Sequence, residues 1–326
     1  MHYLLTDASG FLGAYIAGYL LAGGHQVTTL VRSREEGVEM VAAGVRPFLG
    51  SVVDKEVLRP AVRGVDGVFH VAGHRVAIGD RRLAEAVHVQ GTRNVFELVK
   101  ELRVPRVVHT STLSVFSDTR GELPDESYRF TGKHLTRYDA LRWRAHFEVA
   151  APMIAAGLPG VIVMPGATYG AGDASGMAGL LERYLRGRVR FVSDTTAYCW
   201  AHVEDVAQAH VLAMEFGRIG ETYIVGGKPH SVRAVLSAAG ELAGKAYPPL
   251  PLPRWAVHPP AVVLGGLATV VRSLRPAVER LRVAAGVTYL GNDAKARAEL
   301  GFDPRTLEEG LPETVEWILR DSFERV

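Results

Sequence analysis

Cysteine is nearly absent from this chain. One residue, Cys199, occurs among 326, which rules out an internal disulfide and any zinc site built on cysteine ligands. So few thiols suit a reducing cytosol. An excess of either charge is also missing. The 37 Lys and Arg stand against 35 Asp and Glu, a formal net charge of +2, so no electrostatic case exists for a nucleic-acid partner or a strongly anionic surface. Long hydrophobic runs are lacking. The longest, "AVVLGGLATVV" from Ala261 to Val271, falls well short of the roughly 20 apolar residues of a spanning helix. No integral membrane segment is therefore expected. No basic stretch precedes the first strand candidate at Tyr3, so no secretory leader is expected and a cytoplasmic location is. Internal repeats and low-complexity tracts are absent as well.

What remains is an ordinary globular composition, 48% hydrophobic and 22% charged, enough for one large α/β domain with an attached lobe. Short aliphatic runs alternate with helical patterns through the first half. Tyr3 to Thr6, Val27 to Val31, Val45 to Leu49, Gly67 to Val71, "RVVHTS" and Val161 to Val163 read as strands. Phe11 to Leu21, Glu35 to Ala43, a segment capped by Asp54, Leu83 to Leu102 and Tyr138 to Ala156 read as helices. Strands without polar alternation, separated by helices, predict a doubly wound parallel sheet covered on both faces. Ligands of such sheets bind at the carboxyl ends of the strands. From about residue 166, glycine, proline and aromatic residues cluster in "PGATYGAGDASG" and "YPPLPLPRWAVHPP". These stretches suggest a smaller lobe folding over the sheet.

The segment from Asp7 to Gly13 lies between a strand and a helix, the context that a dinucleotide fingerprint requires. Gly10 lets a backbone approach a pyrophosphate, and Gly13 lets the helix pack on the strand. Ser9, Phe11 and Leu12 complete the turn and the helix start, whose free amides favour phosphate. Without that context, two glycines are equally a tight turn. Strand two ends in "VRSR", where an NAD site carries an acidic residue. Arg32, Ser33 and Arg34 there suit a 2′-phosphate instead, so NADP(H) is preferred and NAD(H) remains possible.

The motifs "TDASGFLG", "GVDGVFHVAG", "VQGTRNVFELVKE", "VPRVVHTSTLSVF", "TRYDALRWRAHFEV", "MPGATYGAGD", "WAHVEDVAQAHVLAM", "ETYIVGG" and "DAKARAELGFDPRTLEEGL" occur in this order. Together they resemble the extended short-chain dehydrogenase/reductase family, also called the NAD-dependent epimerase/dehydratase family. Within it, the chain looks most like the dihydroflavonol-reductase-like branch, which includes hopanoid-associated sugar epimerases. The resemblance implies a Rossmann-type α/β domain over residues 1–165, with a returning segment at about 198–225. It implies a substrate-binding lobe from 166–197 and 226–326. It places Val71, Ala72 and Gly73 beneath the adenine ribose and diphosphate, Ser51 and Val52 near the adenine, and Thr110, Ser111, Pro165 and Gly166 near the nicotinamide. Thr112 takes the place of the catalytic Ser/Thr. Tyr138 takes the tyrosine of the Tyr-x-x-x-Lys motif, with Arg142 at the lysine position. His202 and Asp205 match a motif that ties the lobe to the sheet. Relatives commonly dimerise through the helices spanning here roughly Leu83 to Leu102 and Tyr138 to Ala156, so a homodimer is implied.

The chemistry of the residues agrees. Tyr138 and Arg142 are one helical turn apart and share a face. A tyrosine exchanges a proton at a carbonyl or alcohol oxygen while hydride moves at carbon. Thr112 donates a hydrogen bond to the same oxygen, and a permanent cation stabilises phenolate and grips ribose hydroxyls. Four positions depart from the family pattern: Asp7 for the first glycine, Ser51 for an aspartate, Met164 for an arginine and Arg142 for the lysine. The Asp7 carboxylate is expected to turn onto the amides of its own loop, with weakened cofactor binding as the alternative. The expected activity is NADPH-dependent reduction of a ketone or aldehyde on a partly apolar small molecule. Trp200, Trp255 and the Ala261 to Val271 run favour an apolar substrate. A sugar epimerase or dehydratase with retained cofactor, or a catalytically weakened cofactor-binding protein, is the alternative. No metal is expected. His74, His88 and His134 lie near the presumed pocket with no assigned role.

Overall fold

The computed structural model describes residues 1–71, 81–173, 176–245, 248–252 and 286–324. Ala72, Gly73, His74, Trp255 and the run from Ala261 to Val271 lie outside them. The first half alternates strictly. Strands β1 (His2–Leu5), β2 (Gln26–Val31), β3 (Arg46–Leu49) and β4 (Gly67–His70) are separated by helices α1 (Phe11–Ala22), α2 (Arg34–Ala42) and α3 (Lys55–Val62). After β4 come α4 (Arg81–Glu85) and α5 (Gly91–Glu101), joined by a π-helical turn over Ala86–Gln90. Strand β5 (Val107–Thr110) leads through a short 3₁₀ turn to α6 (Arg137–Arg144). A second π-helical turn, Ala145–Ala150, joins α6 to α7 (Ala151–Ala155), and β6 (Gly160–Pro165) follows.

These strands form a seven-stranded parallel sheet in the order β10-β6-β5-β4-β1-β2-β3, the last member being β10 (Thr222–Val225). The order reverses between β1 and β4, which opens the ligand crevice of a doubly wound fold at their carboxyl ends. The central strands read as continuous hydrophobic runs because both faces are covered. Leu4, Leu5, Val68, Phe69, Val107 and Val108 are all wholly buried. Met164 belongs to this core, packed in the same cluster as Leu113, Cys199 and Ile224. Its departure from the family pattern is thus a buried apolar residue.

The later segments are more regular than their composition suggests. Strands β7 (Ala167–Tyr169), β9 (Ala197–His202), β11 (Pro229–Ser231) and β13 (Thr288–Tyr289) form a second sheet centred on β9, and β8 (Phe191–Ser193) pairs with β12 (Leu250–Leu252). Around this second sheet lie α8 (Gly176–Leu185), α10 (Val232–Leu242) and α12 (Leu307–Glu324), while α11 (Ala294–Leu300) packs on β10. Their core holds Tyr169, Tyr184, Tyr198, Trp200, Leu236 and Leu311. Trp200 is among these packed side chains, its indole N–H donating to the His230 carbonyl (3.1 Å), so it serves the lobe core. Helix α9 (Val203–Glu215) packs on α1. Asp205 of α9 accepts from the backbone N–H (3.0 Å) and Nε (3.1 Å) of Arg305, while Glu204 accepts from its Nη2 (2.7 Å). This ion cluster joins the C-terminal segment to the sheet domain.

The chain crosses between the two sheets where backbone lies on backbone. A Cβ on Gly166, between β6 and β7, would stand 2.3 Å from the Cys199 carbonyl oxygen. One on Gly227, between β10 and β11, would stand 2.1 Å from that of Trp200, and its φ is +66°. Only glycine fits either crossing. No described helix is long and apolar enough to cross a membrane.

Candidate active site

The turn from Thr6 to Gly10 leaves β1 at the crevice. Its backbone is held on three sides. The Val71 amide donates to Thr6 Oγ1 (3.0 Å), the Ala8 amide to Thr29 Oγ1 (3.1 Å), and the Gly10 amide to the Asp7 carbonyl (3.1 Å). Gly10 is the extended N-cap of α1, with no side-chain cap and no acidic residue in the first turn. A Cβ on Gly13 would lie 1.7 Å from the Asp7 carbonyl oxygen, so α1 rests directly on the turn. An uncapped helix start over such a turn fits a pyrophosphate on the amides of Phe11 and Leu12. Asp7 opposes that fit. Its carboxylate leans across Gly10, with Oδ2 only 2.5 Å from where a Cβ would stand.

At the far side of the glycine turn, Arg32 and Arg34 are exposed beyond β2. Ser33 caps α2 by accepting the Glu36 amide (3.2 Å). Glu36 was not anticipated here. Its carboxylate accepts the Ser9 hydroxyl (2.6 Å) and the Arg32 amide (2.8 Å) and lies 3.5 Å from Arg32 Nε. Ser51 is exposed, its Oγ accepting the Val53 amide (3.3 Å), whereas Val52 is buried. Asn94 from α5 donates to the carbonyls of Val52 (2.8 Å) and Val53 (2.9 Å), which fastens this loop.

The third corner lies at the end of β5. Thr112 is extended and its Oγ1 accepts the Ser114 amide (3.2 Å), which leaves its hydroxyl proton available to donate. Helix α6 starts with a capping box. Thr136 Oγ1 accepts the Asp139 amide (3.0 Å) while Asp139 accepts the Thr136 amide (3.2 Å). Asp139 also accepts the Tyr289 hydroxyl (3.0 Å), so the second sheet steadies the turn that carries Tyr138. One turn on, buried Arg142 donates from Nη2 to the carbonyls of Thr110 and, at 3.1 Å, Ser111. That contact joins the Tyr138 helix to the backbone preceding Thr112. Arg142 Nε is buried without a partner among the described residues, a donor that a ligand oxygen would satisfy.

The two π-helical turns each deliver a buried histidine. His88, from the first, meets the Tyr138 ring edge-on at 5.8 Å. His146, from the second, pairs through Nδ1 with Ser111 Oγ (2.7 Å). Extra residues of this kind recur at functional sites. Three further histidines lie behind the corner. His70 is held between Thr6 (3.3 Å) and Thr92 (3.0 Å) and stacks on His109 at 5.3 Å. His210 pairs through Nε2 with Thr110 Oγ1 (2.9 Å) and donates from Nδ1 to the Val206 carbonyl (2.7 Å). Burial, with the Arg142 charge, lowers His70 and His146 to about 3. Burial lowers His210 to about 4, and His109 falls well below its ordinary value for the same reason. All are neutral at physiological pH. His146 lies four residues after Arg142, so helical spacing was a signal for it; His70, His109 and His210 carried none beyond lying in apolar runs.

Pro165 ends β6 beside Val225, and Gly166 begins the crossing to the second sheet. No cluster of metal-ligating side chains occurs among the described residues.

A glycine turn at a parallel-sheet switch point, with a Tyr-x-x-x-Arg helix beside a threonine, defines an NAD(P)-dependent oxidoreductase of the extended short-chain type. The family model for the NAD dependent epimerase/dehydratase family matches residues 3–226, and the chain belongs to that family. It is 31% identical over 319 residues, 95% of each chain, to the 4-hydroxy-2-methyl-3-oxo-4-farnesyl-3,4-dihydroquinoline-1-oxide ketoreductase of Stigmatella aurantiaca. It is 28% identical over 332 residues, 96% of this chain and 97% of the other, to sterol demethylase protein B of Methylococcus capsulatus. The crystal structure of gox2253 is similar to it with a TM-score of 0.86 and 28% identity, covering 98% of both chains.

Proposed function

We propose that this protein is an NADPH-dependent reductase of a ketone or aldehyde group on a partly apolar small molecule. The observation that carries this reading is the Arg142 side chain, which spans from the Tyr138 helix to the Thr110 and Ser111 carbonyls just before Thr112. Ser9, Gly10, Phe11 and Leu12 would hold the pyrophosphate. Arg32, Ser33 and Arg34 would meet a 2′-phosphate. Ser51 and Val52 would flank the adenine, and Val71 would underlie the ribose. Thr110, Ser111, Pro165 and Gly166 would border the nicotinamide. When bound, the dinucleotide supplies hydride to the substrate carbonyl carbon.

The protein's own part is acid catalysis and charge placement. Tyr138 donates its phenolic proton to the carbonyl oxygen. Thr112 donates a hydrogen bond to that oxygen with the proton its Ser114 contact does not use. Arg142, one helical turn from Tyr138, supplies a permanent positive charge and holds the helix against the β5 end. The Stigmatella relative is named for a keto substrate bearing a farnesyl chain, which supports a partly apolar substrate. The lobe of residues 166–197 and 226–326 would receive it. A homodimer through α4–α5 and α6–α7 is part of the same reading.

The test is NADPH consumption by purified protein against a panel of ketones and aldehydes, apolar and polar. Tyr138→Phe is expected to lower kcat by at least about 100-fold while leaving the dissociation constant for NADPH within about threefold. Full activity in Tyr138→Phe overturns the mechanism. Retained cofactor with no net NADPH consumption would favour the epimerase or dehydratase alternative.

A further inference from the structure

Strand two's arginines suggest a preference for the 2′-phosphorylated dinucleotide, but the corner they occupy also contains an acid. Glu36 bridges the glycine turn and the end of β2. It accepts the Ser9 hydroxyl at 2.6 Å and the Arg32 amide at 2.8 Å, and it pairs with the Arg32 guanidinium at 3.5 Å. Its side chain is 14% exposed, whereas that of Arg32 is 68% exposed. The carboxylate is thus locked in place and the guanidinium is not. Burial pushes the Glu36 carboxyl up, but the Arg32 amide, the Ser9 hydroxyl and the Arg32 charge outweigh it and hold it below the ordinary carboxylate value. It is ionised at neutral pH.

From this geometry we infer that Glu36 is a specificity-determining residue: its fixed carboxylate offsets the Arg32 charge and limits discrimination in favour of the 2′-phosphate. The inference rests on the cofactor-dependent reading above. Two effects act together. A carboxylate accepts hydrogen bonds from a free ribose hydroxyl, as an acid does in NAD sites. The same carboxylate repels a dianionic phosphate and pairs with the arginine that would otherwise bind it. Arg34, also exposed, shares the first turn of α2 with Glu35. The corner therefore holds two cations and two anions, and the anion nearest the glycine turn is the ordered one. The preference for NADPH over NADH should thus be smaller than the two arginines alone would dictate.

The experiment is equilibrium titration of the full chain with NADP⁺, NAD⁺, 2′,5′-ADP and 5′-AMP, followed by calorimetry. The two fragments report on the adenosine end alone. Wild-type protein is expected to bind NADP⁺ and NAD⁺ within about tenfold of each other. Glu36→Gln keeps one oxygen to accept the Arg32 amide and turns its NH2 to the Ser9 Oγ, which then accepts, so both contacts persist while the charge is removed. It should raise the ratio of NADP⁺ to NAD⁺ affinity by at least about tenfold, and that of 2′,5′-ADP to 5′-AMP equally. Arg32→Ala should move both ratios the opposite way. A purely structural role for Glu36 would change all four affinities alike and leave the ratios within about twofold; that result overturns the inference while the reductase reading stands. Failure of all four ligands to bind wild-type protein would overturn both.

Discussion

Asp7 shows how one side chain alters a familiar turn without disturbing its shape. Gly10 and Gly13 keep their close contacts, and the Gly10 amide closes the turn onto the Asp7 main chain. The carboxylate then lies over Gly10, where the proposed pyrophosphate would approach. Like charges in that position disfavour binding. Asp7→Gly is therefore expected to tighten dinucleotide binding by about tenfold, measured by fluorescence titration; unchanged affinity would mean the carboxylate stands clear of the ligand. Asp7, Arg142 and the glycines were readable as chemistry from local spacing. Glu36 was not, because an acid in a helix's first turn ordinarily reads as a partner of the helix dipole. Its reach to Ser9, 27 residues earlier, exists only once β1 and β2 pair.

Among the elements, α6 bears most directly on activity. Its capping box sets the first turn, and Tyr138 sits two residues after the cap. Thr136→Ala should cost about 1 kcal/mol of stability and lower kcat more than it weakens cofactor binding. Denaturant titration paired with steady-state kinetics checks both parts, and an unaltered kcat would detach the cap from catalysis. The alternation of strands and helices was legible because each apolar run is bounded by Gly, Pro or a cap residue. The helix predicted from Tyr138 to Ala156 is present as α6, a π-helical turn and α7. The π-helical turns were invisible in sequence, because one extra residue in a turn leaves no mark in so short a pattern, yet both carry a buried histidine, His88 and His146. The second sheet was equally hidden. Its strands are two to six residues long and come from four separated segments, so no local period announces it.

For the whole molecule, the buried histidines tie stability to pH. His70, His146 and His210 titrate at about 3, 3 and 4 in the folded chain, against an ordinary value of about 6.5 when unfolded. Between these limits the unfolded chain binds more protons, so stability rises with pH and is complete above about 6.5. Acidification should remove up to about 1.4 kcal/mol per pH unit for each such histidine. Urea midpoints at pH 7 and pH 5 measure this, and His210→Gln should flatten the dependence; equal midpoints would show these rings to be accessible to protons when folded. The crossings between the two sheets have a mechanical consequence as well. At Gly166 and Gly227 one backbone rests on another with no side chain between them, and Arg305 clamps the C-terminal segment to α9 nearby. A hinge needs backbone that is free to swing, and this seam provides none. The sheet domain and lobe should thus behave as a stiff bracket, so that substrate enters and product leaves by rearrangement of loops along its rim, with no opening of the joint itself.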